Sequence, residues 1–124
     1  MNSPLVLAAS VVLAVALGSA AGASQPGEKE TDVIKTSGGD LTITFIGHGT
    51  LMLAFGGQII HVDPVSREAD YATMPKADII LVTHEHGDHL DPAAIATVRK
   101  EGTAIVLTER CAAAVPGGTV MKNG

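Results

Sequence analysis

The segment Ile79-Ile80-Leu81-Val82-Thr83-His84-Glu85-His86-Gly87-Asp88-His89 joins a short apolar run directly to a cluster of histidine and aspartate side chains. Four consecutive apolar residues without polar alternation are typical of a strand that is buried on both faces. The residues His84, His86, Asp88 and His89 then supply three imidazoles and an aspartate carboxylate. Zinc accepts both kinds of ligand near neutral pH. The segment therefore predicts a metal site at the end of a buried strand.

The spacing of the four polar residues indicates two metal positions rather than one. His84 and His86 lie two residues apart after an extended strand, so their side chains project to the same side and can bind one ion. Gly87 is expected to let the backbone turn, so that Asp88 and His89 face a second point nearby. A single His-x-His pair would be weak evidence, because such pairs also occur on surfaces without a metal.

The residues before the cluster predict antiparallel strands. Leu41–Ile46 begins with alternating apolar and polar residues, which indicates a strand with one buried face. The runs 50–55 and 58–62 flank Gly56-Gly57, and two glycines between β-rich runs favour a hairpin. Asp63-Pro64 should end the third strand, because proline cannot continue a hydrogen-bonded ladder.

The residues after the cluster predict alternating helices and strands. Asp91 is a good N-cap, and the helix it opens is expected to reach about Glu101, with Gly102 as its stop. Ala104–Leu107 should form another buried strand, followed by a short helix that contains Cys111. The fold class is therefore α/β, with antiparallel strands first and strand–helix–strand–helix after them.

The first 23 residues predict a signal peptide. The apolar run Leu5–Leu17 precedes a small-residue tail, and Ala21-Gly22-Ala23 fits a cleavage site, although no Lys or Arg precedes the run. A retained membrane anchor is the alternative, but the run is shorter than the ~20 residues that a stable membrane span needs. We therefore expect export to the periplasm or the medium, a linker over residues 24–39, and a folded part over residues 40–124.

Composition narrows the classes of partner. The chain has 124 residues and a net charge of −5, with no basic cluster, so we expect neither nucleic acid nor an anionic membrane surface as a partner. Cys111 is the single cysteine, which excludes an intramolecular disulfide and favours a buried free thiol. The oligomeric state is left open by these observations.

The segment Thr83–Leu90 resembles the His-x-His-x-Asp-His signature of the metallo-β-lactamase superfamily. The segments Ile46–Thr50 and Pro75–Asp78 resemble most the branch that contains ascorbate-6-phosphate lactonase-like and N-acylphosphatidylethanolamine phospholipase-like enzymes. The resemblance covers about residues 41–124, the first half of that fold. It implies a four-layer αββα sandwich with the metals at one edge of the two sheets.

The resemblance also implies roles for individual residues. His84 and His86 would bind a first Zn²⁺, and Asp88 and His89 a second, with other divalent transition metals possible. A metal-bound hydroxide, which Asp88 could also hold as a catalytic residue, would hydrolyse an ester, lactone, amide or phosphodiester bond of a small-molecule substrate. Asp63 matches an early aspartate that orients the metal loop, although aspartate before proline is also an ordinary turn former.

Two other histidines have less specific surroundings. His48 lies between two glycines at a strand end, where a contact with the metal site or the substrate and a plain loop position are about equally favoured. His61 lies inside a strand, where a structural role is more common.

The resemblance leaves the metal site incomplete within this sequence. The family adds a later histidine, a bridging aspartate and a final histidine, but no histidine follows His89. The last residues, Asn123-Gly124, form a turn dipeptide with no following strand for residues 119–122. We therefore expect the N-terminal part of a longer hydrolase, one that folds poorly alone because a sheet stays uncovered. The alternative is a non-catalytic or degenerate metal-binding half-domain; a β-lactamase proper fits the lactonase-like surroundings less well.

Overall fold

The structure, a computed structural model, describes residues 27–123, which form a mixed sheet of seven strands. The order of the strands in the sheet is their order in the sequence. The strands are β1 (Thr31–Thr36), β2 (Gly39–Gly47), β3 (Thr50–Phe55), β4 (Gln58–Val62), β5 (Ala77–Val82), β6 (Arg99–Thr108) and β7 (Thr119–Met121). Helix α1 (Pro92–Val98) joins β5 to β6, and a 3-10 helix (Glu109–Cys111) leads towards β7. The predicted signal peptide lies outside the described residues.

The sheet changes from antiparallel to parallel at β4. Strands β1 to β4 pair antiparallel, whereas β4, β5, β6 and β7 pair parallel to one another. Gly56 and Gly57 have positive φ angles of 57° and 81°, as the hairpin between β3 and β4 requires. The α/β fold class and the predicted order of antiparallel strands before the α/β part are confirmed.

The predicted linker over residues 24–39 is wrong from Thr31 onwards. Residues Thr31–Thr36 form β1, which pairs with β2 around a turn at Ser37-Gly38. Every residue of β1 is exposed, and the strand lies at the edge of the sheet. A strand that is exposed on both faces does not need a regular pattern of apolar residues. Polar residues such as Asp32 and Lys35 therefore made this segment resemble a linker in composition.

Helix α1 is shorter than the sequence predicts. It ends at Val98 rather than near Glu101, because Arg99 already has extended backbone angles and pairs with Ala77 of β5. Gly102, with φ of 81°, lies within an irregular stretch of β6 and does not stop the helix. Within residues 27–123, no helix has the length and apolar character needed to cross a membrane.

The last strand, β7, pairs with the preceding strand, β6. Thr119–Met121 pairs parallel to β6, with Val106 opposite Thr119 and Thr108 opposite Met121. The segment around Cys111 is a 3-10 helix followed by turns, and Cys111 is a fully buried free thiol, as predicted.

The buried core lies on one face of the sheet. Helix α1 contributes Ala94, Ile95 and Val98, which pack against strand residues that include Ile80 and Leu107. The Asp91 side chain caps α1 by accepting hydrogen bonds from two helical N–H groups, and its other oxygen accepts one from Ser66 N. Asp91 thereby connects the loop after β4 to helix α1, which follows the histidine cluster.

The opposite face carries two continuous apolar rows. Register partners on neighbouring strands point to the same face of a sheet. One row consists of Ile43, Leu53, Ile60, Ile79 and Ala104, and the other of Phe45, Leu51, Val62, Leu81 and Val106. These side chains are half-buried or exposed, in contrast to the buried core on the α1 face. Within residues 27–123, no second layer packs on this apolar face.

Candidate metal centre

The loop from Thr83 to Leu90 begins at the carboxyl end of β5, the edge where α/β sheets usually bind ligands. It folds back on itself, since the N–H groups of His89 and Leu90 both donate to the carbonyl oxygen of His86. Gly87 does not have a positive φ, so the expected role of glycine flexibility is not used. The turn instead follows from these two hydrogen bonds.

The loop brings together the four predicted ligands. The ring centroids of His84 and His86 lie 4.8 Å apart, and those of His84 and His89 lie 4.0 Å apart. Asp88 Oδ2 lies 3.7 Å from His89 Nε2. His84, His86 and Asp88 form a group whose possible ligand atoms all lie within 4.8 Å of one another. Imidazole nitrogens with a carboxylate oxygen are a donor set that suits zinc and other divalent transition metals.

Asp63 contacts the loop from the end of β4. Its side chain is 2% exposed, and its Oδ2 atom is 2.8 Å from His89 Nδ1. Since an ionised carboxylate can only accept, His89 Nδ1 carries the proton and its Nε2 atom keeps a free lone pair. Asp63 thus orients His89 and leaves the correct nitrogen available for a metal. It has the positive φ of 45°, which aspartate tolerates better than most residues.

Thr83 extends this arrangement to His84, a role that the sequence analysis did not assign. The Thr83 hydroxyl donates to Asp63 Oδ2 at 2.6 Å, and its N–H donates to Oδ1 at 2.7 Å. The hydroxyl has one proton, so it must accept from His84 Nδ1, which lies 2.9 Å away. His84 therefore also presents Nε2. One buried carboxylate therefore fixes the tautomers of two predicted ligands. The only feature of the sequence that could have indicated this role is the position of Thr83 directly before the first histidine.

His48 reaches the cluster from the turn between β2 and β3. Its Nε2 atom lies 2.9 Å from Asp88 Oδ2, and its ring centroid is 5.2 Å from that of His89. The backbone N–H of Asp88 holds the pKa of its own carboxyl below the usual value; partial desolvation acts in the opposite direction, and the His48 ring adds to the lowering. A carboxylate of this kind stays ionised and able to bind a cation.

Gly49 is a second residue whose role the sequence analysis missed. A Cβ atom at this position would lie 2.6 Å from Cε1 of His89 and 3.2 Å from its Nδ1. The ring of His89 therefore rests directly on the glycine backbone. Any side chain here would push the ring away from Asp63.

The remaining titratable neighbours lie outside the cluster. His61 is fully buried in β4, and its Nε2 donates to the carbonyl oxygen of Pro75 at 3.0 Å, in line with a structural role. Glu85 points away from the ligands and pairs with Arg110 at 3.0 Å. Its own backbone N–H and then Arg110 lower the pKa of the Glu85 carboxyl.

A cleft of about 410 Å³ opens beside His84. It lies where β5, β6 and β7 end, and its walls include Thr108, Arg110 and Lys122. Two ion pairs cross its rim, Arg110 with Glu85 and Lys122 with Glu109. The volume lies within the range of pockets that hold small molecules.

The family model of the beta-lactamase superfamily domain matches residues 42–121. Among curated proteins, a UPF0173 metal-dependent hydrolase of Flavobacterium johnsoniae is 38% identical over 74 residues, which are 55% of this chain and 32% of that protein. A UPF0173 metal-dependent hydrolase of Thermococcus kodakarensis is 40% identical over 68 residues, covering 52% of this chain and 30% of that protein.

A solved structure extends the similarity to three dimensions. The crystal structure of a protein from Parabacteroides distasonis, provisionally named a metal-dependent hydrolase, superposes with a TM-score of 0.76 at 55% sequence identity. The match covers 78% of this chain and 44% of that one. The chain thus spans about a third of the length of the two curated relatives and less than half of the solved one.

Proposed function

Because this chain belongs to the beta-lactamase superfamily domain family, we propose that it provides the metal-binding part of a zinc-dependent hydrolase. The observation that supports this most directly is the loop at the end of β5, which gathers three imidazoles and one carboxylate. His84 and His89 each present a free Nε2 lone pair because their Nδ1–H groups donate hydrogen bonds to the Thr83 hydroxyl and the Asp63 carboxylate. Such orientation by outer partners is what an efficient metal site needs.

We propose His84, His86, Asp88 and His89 as the residues that hold two Zn²⁺ ions. When bound, the ions would supply Lewis acidity, which lowers the pKa of water and polarises the bond under attack. Asp88 is then the residue best placed to accept a hydrogen bond from the attacking water, because it lies in the middle of the cluster and stays ionised. His89, which is only 17% exposed, limits solvent on the Asp63 side.

The substrate is proposed to be a small molecule with an ester, lactone, amide or phosphodiester bond. The cleft beside His84 is a suitable place for it, since one wall is a proposed metal ligand. The resemblance to the lactonase-like branch makes lactones the first compounds to test. Export remains part of the proposal and depends on cleavage after Ala23.

The proposal is tested by metal content and hydrolysis together. The purified chain is dialysed against Zn²⁺, its bound metal is measured, and turnover of a lactone, an ester, an amide and a phosphodiester is followed. We expect bound zinc and only weak hydrolysis of one of these classes, because the resemblance leaves the metal site incomplete within this sequence. Both should be lost in His86→Ala and retained in His61→Gln, a histidine control outside the cluster. Zinc binding without hydrolysis of any of the four kinds of substrate would favour the non-catalytic half-domain. A chain that binds no metal would contradict both the hydrolase proposal and the half-domain alternative.

A further inference from the structure

The turn that carries His48 has a left-handed backbone conformation that residues other than glycine adopt uncommonly. Gly47 pairs with Thr50, so His48 and Gly49 form a two-residue connection between β2 and β3. His48 has the positive φ of 51°. For a residue with a Cβ atom this region costs about 1 kcal/mol, and among such residues Asn, Asp and His occur there most often. Such strain is tolerated where the side chain serves a site.

This conformation places the His48 ring beside Asp88. His48 Nε2 lies 2.9 Å from Asp88 Oδ2, and His89 Nε2 lies 3.7 Å from the same oxygen. The donor atoms of His48, Asp88 and His89 all lie within 4.8 Å of one another. Donors bound to one tetrahedral zinc stand about 3.3 to 3.6 Å apart, given bonds of about 2.0 to 2.2 Å. The two measured separations bracket this value.

A third group, Asp63 with His84 and His89, meets the same distance limit but is a poorer site. Both oxygens of Asp63 already accept hydrogen bonds, from the N–H and hydroxyl of Thr83 and from His89. The Asp63 carboxylate is also almost fully buried. By contrast, 51% of the His48 side chain and 39% of the Asp88 side chain are exposed, so an ion can reach them.

We propose that His48 is a metal ligand, and that His48, Asp88 and His89 form a cation site of their own. This site would share the Asp88 carboxylate with the group of His84, His86 and Asp88, so that two adjacent ions are held within this chain. The proposal rests on the proposed function, since it assigns a further ligand to the same metal centre. Three protein ligands leave a coordination position open, which is the arrangement of catalytic rather than structural zinc.

The test compares two substitutions of equal size at the strained position. Asn and Asp both tolerate a positive φ, but only Asp supplies a carboxylate ligand. The purified chain and the variants His48→Asn and His48→Asp are titrated with Co²⁺, and the bound equivalents and the visible absorption of the bound ion are measured. Circular dichroism of each protein without metal verifies that the fold is unchanged.

We expect two Co²⁺ equivalents for the unsubstituted chain and for His48→Asp. His48→Asn should lower the affinity for the second ion by at least about 100-fold. The loss of a residue that only hydrogen-bonds to a ligand usually lowers metal affinity by about 10- to 100-fold, so a larger loss indicates a direct ligand. His86→Ala should weaken the other ion instead. If His48→Asn binds both ions as the unsubstituted chain does, or if its loss stays within about 10-fold, the ligand role is wrong while the proposed function stands. If no protein binds Co²⁺, both proposals fail.

Discussion

The Nδ1 atom of His89 lies 2.8 Å from Oδ2 of Asp63, and this contact ties the metal loop to the end of β4. Asp63 also receives two hydrogen bonds from Thr83, at the start of the same loop. Hydrogen bonds to a buried carboxylate are stronger than those between neutral groups. The relative positions of the first and last predicted ligands are therefore fixed before any metal binds.

Asp63→Asn should weaken metal binding without breaking the turn. Asparagine accepts the positive φ of this position, but its amide cannot accept at both ends, so the contacts with Thr83 and His89 cannot all survive. We expect a 10- to 100-fold loss of zinc affinity, about the usual effect of removing an outer partner of a ligand. Isothermal titration measures it, with Asp40→Asn as an exposed control. Unchanged affinity would contradict the orienting role of Asp63.

Gly49→Ala should displace the His89 ring, whereas Gly87→Ala should not. A Cβ atom at Gly49 would lie 2.6 Å from the ring, but one at Gly87 would meet nothing within 4 Å and faces no positive φ. We expect Gly49→Ala to lower zinc affinity at least about 10-fold, and Gly87→Ala to change it less than about 3-fold, since a ligand ring must keep its orientation. Equal affinities in the two variants would show that the close approach is unimportant.

The sequence predicted the elements whose residues face a core. The strand ending at Val82, the hairpin at Gly56-Gly57 and the Asp91 cap are all present, because burial and turn geometry restrict which residues can occur there. Within residues 27–123, however, that strand is fully buried only on the face that packs against α1. Strand β1 was not predicted, because an exposed edge strand is stabilised by pairing with its neighbour and its side chains carry little signal. The end of α1 was misplaced, since the pairing of Arg99 with Ala77 depends on a strand distant in sequence.

The site was predictable to a similar extent. Four ligand candidates share one short loop, so their spacing alone indicated proximity. The contacts of the loop with Asp63, His48 and Gly49 join residues 20 to 40 positions apart in the chain. Such contacts depend on how distant strands pair in the sheet, which the local pattern of residues does not reveal. Thr83 lies next to a predicted ligand, yet the role of its hydroxyl could be assigned only once the position of Asp63 was known.

His61 should make the fold less stable in mild acid. Burial lowers the pKa of its imidazole below 6.5, although the hydrogen bond to Pro75 acts in the opposite direction, and Nδ1 has no described partner. The unfolded chain therefore binds the extra proton first, and stability falls as pH drops below about 6.5, by at most about 1.4 kcal/mol per pH unit from this group.

The contribution of His61 is measured by comparison with His61→Gln, which removes the titration and keeps a donor for Pro75. Free energies of unfolding from urea titrations at pH 8 and pH 5.5 give the two pH dependences without added metal. We expect the variant to lose less stability over this interval than the unsubstituted chain. Parallel curves would mean that the buried imidazole does not titrate in this range.

Asp91→Ala should destabilise the fold more than the loss of an ordinary helix cap. Its carboxylate accepts from Ala93 and Ala94 of α1 and also from Ser66. Burial alone would raise the pKa of this carboxyl, but the Ser66 and helix N–H groups hold it below the usual value. The stabilisation is therefore present above about pH 4 and is lost as the pH falls further.

An N-cap alone contributes about 0.5–2 kcal/mol, so we expect Asp91→Ala to cost about 2 kcal/mol or more at pH 7. Asp91→Ser retains the cap but not the bond to Ser66 and should fall between the two. Chemical unfolding measures all three proteins. If Asp91→Ser is as stable as the unsubstituted chain, the connection to the loop after β4 contributes nothing.

The apolar face opposite α1 should drive self-association of the chain. Phe45, 41% exposed, belongs to a row of five apolar side chains that no element within residues 27–123 covers. Contiguous apolar surface of this kind favours contacts between molecules. Phe45→Lys places a charge in the row, whereas Val33→Lys alters a residue that is 54% exposed and that the register assigns to the other face. We expect sedimentation velocity to show fewer large species for Phe45→Lys and no change for Val33→Lys. Equal effects of the two lysines would indicate that net charge, rather than the apolar face, controls association.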